Sequence, residues 1–287
     1  MPWSADISAN SALTSISNHR KAPADAITRT ASHASEMGVG DVSTLVEFTS
    51  RRPEIAPKAV FILHNRSPQA VISLKTSGIA KLVDLYGHVL GQGPADAPSR
   101  MFPALASIAG LNMSRIEIRQ FSPQLRDTML LTNQVDAVTG FDSTVLFNLK
   151  ANGVAIDDAT VIYYADNGLD VYGNAFLANA DFLRANPEAV KSFVRAAVRG
   201  WREAIAHPAA AMESLGKHNN LAKLSIEGER TGVFASAYPN CPKGKLAFAS
   251  VPSASSAGRT GHLQGWPRAK SSVFVPNGTG ETRGMLF

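Results

Sequence analysis

The sequence predicts an α/β fold from residue 38 to about residue 215. Short apolar runs of strand length alternate with helical stripes, and Gly, Pro and Ser punctuate the junctions. KAVFILH (58–64) and AVISLK (70–75) read as strands separated by the turn residues of NRSPQ. SGIAKLVDLYGHVLG (77–91) reads as a short helical turn followed by the strand HVLG. A helix follows Ser99, with Met101, Leu105, Ile108 and Ala109 on one face and Gly110 as its stop. RIEIRQF (115–121) alternates as a strand does. Ser122-Pro123 is expected to open the next helix, with a stripe of Leu125, Met129 and Leu130. AVTGF (137–141) is a strand, STVLFNLKANG (143–153) a helix, and TVIYY and NAFLA two further strands. The strongest helix signal is 186–208. Asn186 caps it, Pro187 takes its first position, and Val190, Phe193, Val194, Ala197, Val198 and Trp201 form one face that suits core packing. His207-Pro208 ends it, and PAAAMESL begins a shorter one.

The flanks differ in texture. Residues 1–37 are rich in Ser, Ala, Asn and Thr and are expected to be poorly ordered. Residues 233–287 are a Ser-, Gly- and Pro-rich basic tail of a composition that struggles to bury a core.

Composition narrows the function classes. The chain has 287 residues, 45% apolar, and a net charge of +5. From residue 230 onward seven basic residues face Glu281 alone, so the remainder is close to neutral. With no RNA-binding aromatic motif or helix-turn-helix pattern, that localised charge argues against nucleic acid as partner. No apolar run reaches the roughly 20 residues that span a bilayer, and the beginning lacks the apolar stretch of a secretory signal. The single cysteine, Cys241, cannot close an internal disulfide, and neither a zinc-type Cys/His spacing nor a cofactor motif is present. GQGPADAPSR (91–100) lacks the Lys-Ser/Thr ending of a nucleotide loop. Neither a Ser-His-Asp nor a paired-carboxylate arrangement is evident, so no catalytic residue is expected.

Several polar stretches could carry a ligand. YADNGLDVYGN (164–174) sets Asp166, Asp170 and Tyr172 among glycines, between two strand-like runs. It reads either as a pocket offering carboxylate acceptors and a ring with a hydroxyl, or as a solvated hairpin. GFDSTVLF (140–147) places Phe141 to stack on a flat ring, and Asp142 either to accept from an amine or to cap a helix. GVGD (38–41) and the following STLVEF read either as a simple strand-to-helix turn or, as the family resemblance given below implies, as a helix start whose N–H groups and Ser43 donate to a ligand acceptor. Arg100 meets a carboxylate or is solvated. The set suits a small, flat, amine-bearing heterocycle such as an aminopyrimidine, and suits a sulfonate poorly, since anions favour Arg, Lys and N–H donors.

The ordered run GVGDVSTLVEF…KAVFILHNRSPQAVISLKTSGI…DLYGHVLG…AGLN…VDAVTGF…YYADNGLDVYGNAFLAN…NPEAVKSFVRAAVRGW resembles the substrate-binding proteins of ABC importers in the thiamine-pyrimidine, alkanesulfonate and taurine group, over about residues 38–215. That group shares its fold with fungal pyrimidine-phosphate synthases. The resemblance implies a two-lobed type II periplasmic-binding-protein-like fold, lobe one being 38–75 with 181–232 and lobe two 76–180. The family's opening strand and helix have no match in residues 1–37, so the first lobe is expected to be incomplete. By the same resemblance Gly40, Asp41, Ser43, Asp96, Phe141, Asp142, Asp166, Asp170 and Tyr172 face an interlobe cleft, although the family's usual Gly-Asp pair is Ala95-Asp96 here. The implied role is that of a monomeric, non-enzymatic binder of a small-molecule ligand, working with ABC permease subunits in the periplasm. A leaderless complete product would instead be cytoplasmic. The alternatives are a synthase-like enzyme of thiamine biosynthesis, although the cysteine-rich motif of those enzymes is missing, and a sulfonate or taurine binder.

Overall fold

A computed structural model describes residues 23–94, 96–122, 124–219, 223–237, 272–276 and 282–286. Along the chain come α1 (Pro23–Ala31), β1 (Met37–Asp41), α2 (Val42–Arg51), β2 (Lys58–Ile62), β3 (Gln69–Leu74), β4 (Val89–Gln92), α3 (Ala97–Ile108), β5 (Glu117–Gln120), α4 (Arg126–Leu131) and β6 (Ala137–Phe141). Then follow α5 (Asp142–Ala151), β7 (Ala159–Tyr163), β8 (Asn174–Ala178), α6 (Ala180–Ala185), α7 (Pro187–Ala206), α8 (Pro208–His218), α9 (Leu224–Ala237), β9 (Ser272–Pro276) and β10 (Thr282–Leu286).

The strands sort into two main sheets. One has the order β1-β8-β2 with both pairs antiparallel; the other has the order β5-β4-β6-β3-β7, parallel around β4 and antiparallel on both sides of β3. Side chains alternate across each strand, so each sheet buries two faces. On the first sheet, Ala59, Ile62, Ala175 and Leu177 pack with Ile27 of α1 and Leu45 of α2. Val60, Phe61, Phe176 and Ala178 pack on the other face with Val190, Val194 and Val198 of α7. On the second sheet, Val71, Leu90 and Ala137 face Met101, Phe102 and Leu105 of α3. Ala70, Ile72 and Val138 face Leu130 of α4 and Val145, Leu146 and Leu149 of α5.

The chain crosses between the sheets through residues 63–68 and 164–173. Strand β3, expected in the first lobe, therefore belongs to the second sheet, and β8, expected in the second, completes the first. The C-terminal helices also divide differently. α7 covers the first sheet, whereas α9 lies on α5 of the second lobe, with Lys150 ion-paired to Glu229 and the Arg230 guanidinium 5.5 Å from the Phe147 ring centre. Helix starts are corrected as well. α3 is capped by Asp96, whose carboxylate accepts from the Ser99 N–H at 2.9 Å. α4 begins at Arg126, beyond Ser122-Pro123.

Residues 23–37 are not the unstructured lead-in expected from their composition. Ile27, Thr30 and Ala31 of α1 are buried against β1. Gly40 makes that approach possible, because a Cβ there would stand 2.8 Å from Leu177 Cδ1 and 2.9 Å from Ile27 Cγ1. β9 and β10 pair antiparallel within the stretch expected to be a low-complexity tail. The expectations for residues 1–22 and for most of that tail, Cys241 included, lie outside the described residues.

Ile27→Ala is expected to lower unfolding stability by about 2–4 kcal/mol, the range for emptying a well-packed aliphatic site. Urea unfolding followed by circular dichroism checks this, and an unchanged midpoint would place α1 outside the cooperative core.

Candidate functional site

The second sheet reverses its winding between β4 and β6. The chain leaves β4 into α3 on one face and leaves β6 into α5 on the other, so the carboxyl ends of these adjacent parallel strands open a crevice. Because β3 runs antiparallel to β6, its first residue Gln69 pairs with Phe141 at that same edge. The two crossing segments bring the edge of the first sheet, Asp41 and Asn174, up to it. Those crossings are fixed by backbone bonds: Leu63 N–H to Asn174 O at 2.8 Å, Gly173 N–H to His64 O at 3.0 Å, Ser67 N–H to Val171 O at 2.8 Å, and Val42 N–H to Gly173 O at 3.0 Å.

Three helices begin at this junction, and each start holds a carboxylate. Asp41, fully buried, caps α2. It accepts from the Ser43 hydroxyl, from Thr44 N–H at 3.2 Å and from Gln69 Nε2 at 3.3 Å, the last bond joining the two lobes. Asp142, at the start of α5, accepts from the Ser143 N–H and from the Tyr163 hydroxyl at 2.9 Å. Asp96 caps α3. Burial raises the pKa of all three, partly opposed by these hydrogen bonds and, at Asp96, by the Arg126 charge.

Polar atoms remain unsatisfied at the same place. Gln69 Oε1, Gln92 Nε2 and Asn174 Oδ1 are buried without a hydrogen-bond partner among the described residues. Each such atom costs about 1–3 kcal/mol if nothing else meets it. Two acceptors, on Gln69 and Asn174, thus flank Asp41, and one donor sits at the end of β4. Across the opening, Arg100 of α3 donates from Nε to Glu47 Oε2 at 2.8 Å and pairs a second time through Nη2, a two-pronged ion pair between lobes. Of the two readings of Arg100, the structure selects the carboxylate.

The residues expected to face a cleft divide accordingly. Asp41, Ser43, Asp96, Phe141 and Asp142 meet at the junction, Phe141 half-buried opposite Gln69. Ser43 is committed to Asp41 rather than free to donate. Gly40 acts through packing. Tyr172 is half-buried against the first sheet, and burial raises the pKa of its hydroxyl, with Asp170 adding to the effect. Asp166 is not gathered in. Its side chain is 59% exposed and ion-paired with Arg66 of the other crossing segment, and Asp170 is exposed beside it. Gly168, where the segment turns, has φ of 93°. The sequence reading missed Gln69, Gln92, Asn174 and Arg126. Its only available signal was a polar residue at the end of an apolar strand. Among the described residues no group of three or more His, Cys, Asp or Glu could hold a metal, and no helix is long and apolar enough to cross a membrane.

Known proteins with this pattern bear on the reading. The family model described as NMT1/THI5 like matches residues 16–211. The riboflavin-binding protein RibY of Chloroflexus aurantiacus is 23% identical over 160 residues, 55% of this chain, and the chain spans 44% of RibY's length. The periplasmic aliphatic sulphonate binding protein SsuA of Escherichia coli superposes with a TM-score of 0.60 at 14% identity, over 74% of this chain and 70% of that one. The alkanesulfonate-binding protein SsuA of Xanthomonas axonopodis pv. citri, bound to MOPS, gives 0.58 at 16%, over 74% and 71%. These structures share the two-lobed type II periplasmic-binding-protein fold.

His64, where β2 enters the first crossing, accepts from the Asn174 N–H at 3.1 Å, and burial lowers its pKa from 6.5 to about 4. Between those values the unfolded chain takes up a proton that the folded chain refuses. The stability His64 contributes is therefore full above pH 6.5 and falls by about 3 kcal/mol as pH drops through 4. The raised carboxylates work in the opposite sense, since protonation relieves their burial. A comparison isolates the histidine: relative to His64→Asn, the native protein should lose melting temperature between pH 7 and pH 4.5. Parallel curves would remove His64 as the cause.

Proposed function

The chain belongs to the NMT1/THI5-like family, and from that premise we propose that it is the substrate-binding component of an ABC-type import system, holding a small, flat, amine-bearing heterocycle of the aminopyrimidine kind. The observation that carries the ligand class is the pair of unsatisfied acceptors, Gln69 Oε1 and Asn174 Oδ1, beside the buried Asp41 carboxylate. Such a group accepts from an amine or ring N–H, and burial makes each bond count for more than in water. Phe141 and Tyr172 offer rings for the flat face of the ligand. The name of RibY indicates a flat nitrogen heterocycle as the ligand of that protein, which accords with this choice.

The mechanism is cleft closure. A ligand touching the starts of α2, α3 and α5 joins the lobes and favours the closed form, which the Glu47–Arg100 pair also holds. Closed and open forms would be distinguished by permease subunits in the periplasm. No covalent chemistry is needed, and this favours a binder over a pyrimidine synthase.

A thermal-shift screen over 4-aminopyrimidines, taurine and alkanesulfonates is expected to raise the melting temperature with aminopyrimidines. Asn174→Leu supplies the sharper check. It removes an acceptor that the unliganded protein leaves unsatisfied, so it should raise intrinsic stability by about 1 kcal/mol while weakening aminopyrimidine binding about tenfold. Calorimetry showing undiminished affinity would take Asn174 out of the site. The absence of any shift at millimolar probe would overturn the binder reading itself.

A further inference from the structure

The C-terminal helices enclose a space of their own, away from the junction of the two sheets. Lys223, just before α9, and Ile226, Glu227 and Arg230 within it recur at the three- and four-residue spacing that aligns side chains on one helix face. Phe147 and Ala151, one turn apart on α5, stand opposite, and Leu215 of α8 closes the third side. α8 and α9 are themselves in close contact, since a Cβ at Gly216 would stand 3.1 Å from Leu224 Cδ1. The space therefore lies between that helix pair and α5, as a cavity of about 400 Å³. Close-packed interiors hold few gaps larger than a water molecule, whereas small-molecule sites occupy about 300–1,000 Å³.

The polar groups in its wall are mostly donors. Arg230 Nε is buried without a hydrogen-bond partner among the described residues. The same guanidinium lies 5.5 Å from the Phe147 ring centre, and its Nη2 is 3.5 Å from Glu227 Oε1. That separation exceeds the roughly 2.7–2.9 Å of a charge-assisted hydrogen bond, so Glu227 offsets the charge without meeting Nε. Lys223 Nζ donates to Ala151 O at 3.2 Å, a carbonyl in the last turn of α5, which uses one of the three donors of an ammonium. The lining thus sets two cations against one carboxylate, beside the apolar side chains of Phe147, Leu215 and Ile226. An occupant that completes it carries one negative charge on an apolar body. The chain itself does not supply that charge nearby in sequence, because from residue 238 its charged side chains are Lys and Arg alone until Glu281.

We propose that the cavity between α5, α8 and α9 is a second ligand site, separate from the interlobe cleft, for a small monoanion with an apolar body, an aryl or alkyl carboxylate. Arg230 receives the acid group, Phe147, Leu215 and Ile226 cover the apolar part, and Lys223 adds its field from the far end of the same helix face. The site stands independently of what the cleft holds. Its occupant touches both α5 of the second lobe and the helices that follow α7, so it strengthens a contact otherwise made of part-exposed polar pairs.

The test is calorimetry on the full chain with matched pairs that differ in charge: 4-phenylbutyrate against 4-phenylbutyramide, and octanoate against octanamide. The acids are expected to bind about tenfold or more tightly than the amides. Arg230→Gln should erase that preference. Ala151→Trp should fill the cavity and weaken the acids at least about tenfold. Glu227→Gln removes the opposing carboxylate and should tighten acid binding about threefold, a gain that a loosened helix would not produce. Should Arg230→Gln release α9, as a loss of helical circular dichroism would show, the other two variants decide. Amides binding as well as acids, an acid preference that survives Arg230→Gln in a folded protein, undiminished binding in Ala151→Trp, or no binding of any probe at millimolar concentration overturns the second site. None of these results bears on the aminopyrimidine screen, which tests the cleft.

Discussion

Everything at the junction depends on the chain crossing twice between two sheets within a few ångströms. Segment 164–173 closes a turn of its own on Tyr164 O, and the two crossings are then tied to each other by Gly173 N–H to His64 O and Ser67 N–H to Val171 O. Those bonds fix where β3 starts and where β8 starts, and hence where Gln69 and Asn174 stand. The crossings then deliver Asp41 to Gln69. Were the segments joined only by side chains, no side chain at the junction would be placed to better than a rotamer.

The same constraint explains an otherwise costly arrangement. Buried carboxylates at three helix starts and unpaired amides on three strand ends all reduce stability in the absence of a partner. A fold optimised only for persistence would replace Asn174 or Gln92 with an apolar residue, as it does along the rest of β4 and β8. Gly140 points the same way: a side chain there would be driven into Val145 and onto the Arg126 guanidinium. Of the buried side-chain atoms without a hydrogen-bond partner among the described residues, those of Gln69, Gln92 and Asn174 stand where the two sheet edges meet, and the other, Arg230 Nε, lies on α9.

Sequence pattern revealed the frame more readily than the site. β2, β3, β6 and β8 were legible because apolar runs of five or six residues end in turn formers, and α7 because Asn186-Pro187 precedes an uninterrupted apolar stripe. α1 was not, since PADAITRTA carries one large apolar residue, Ile27, and only contact with Gly40 and Leu177 gives it weight. Asp41 and Asp142 were legible as residues beginning helices after strands. Gln69, Gln92, Asn174 and Arg126 gain meaning only when two sheets are brought edge to edge, which no local window encodes. Asp166 shows the converse. A polar insert between strands reads the same whether its carboxylates face inward or outward, and here the opposite crossing supplies Arg66 on the outside.

The C-terminal helices add a third tie between the lobes, and its strength decides whether closure is possible. α7 is held to the first sheet by the burial of Val190, Val194 and Val198, each worth about 1.5–3 kcal/mol in apolar area removed from water. α9 meets the second lobe through part-exposed polar contacts: Lys150 with Glu229, Lys223 Nζ with Ala151 O at 3.2 Å, and Arg230 over Phe147. Exposed ion pairs contribute roughly 1 kcal/mol or less each. The strap is therefore held more firmly to the first lobe than to the second, and across the opening the lobes are tied by the Glu47–Arg100 pair.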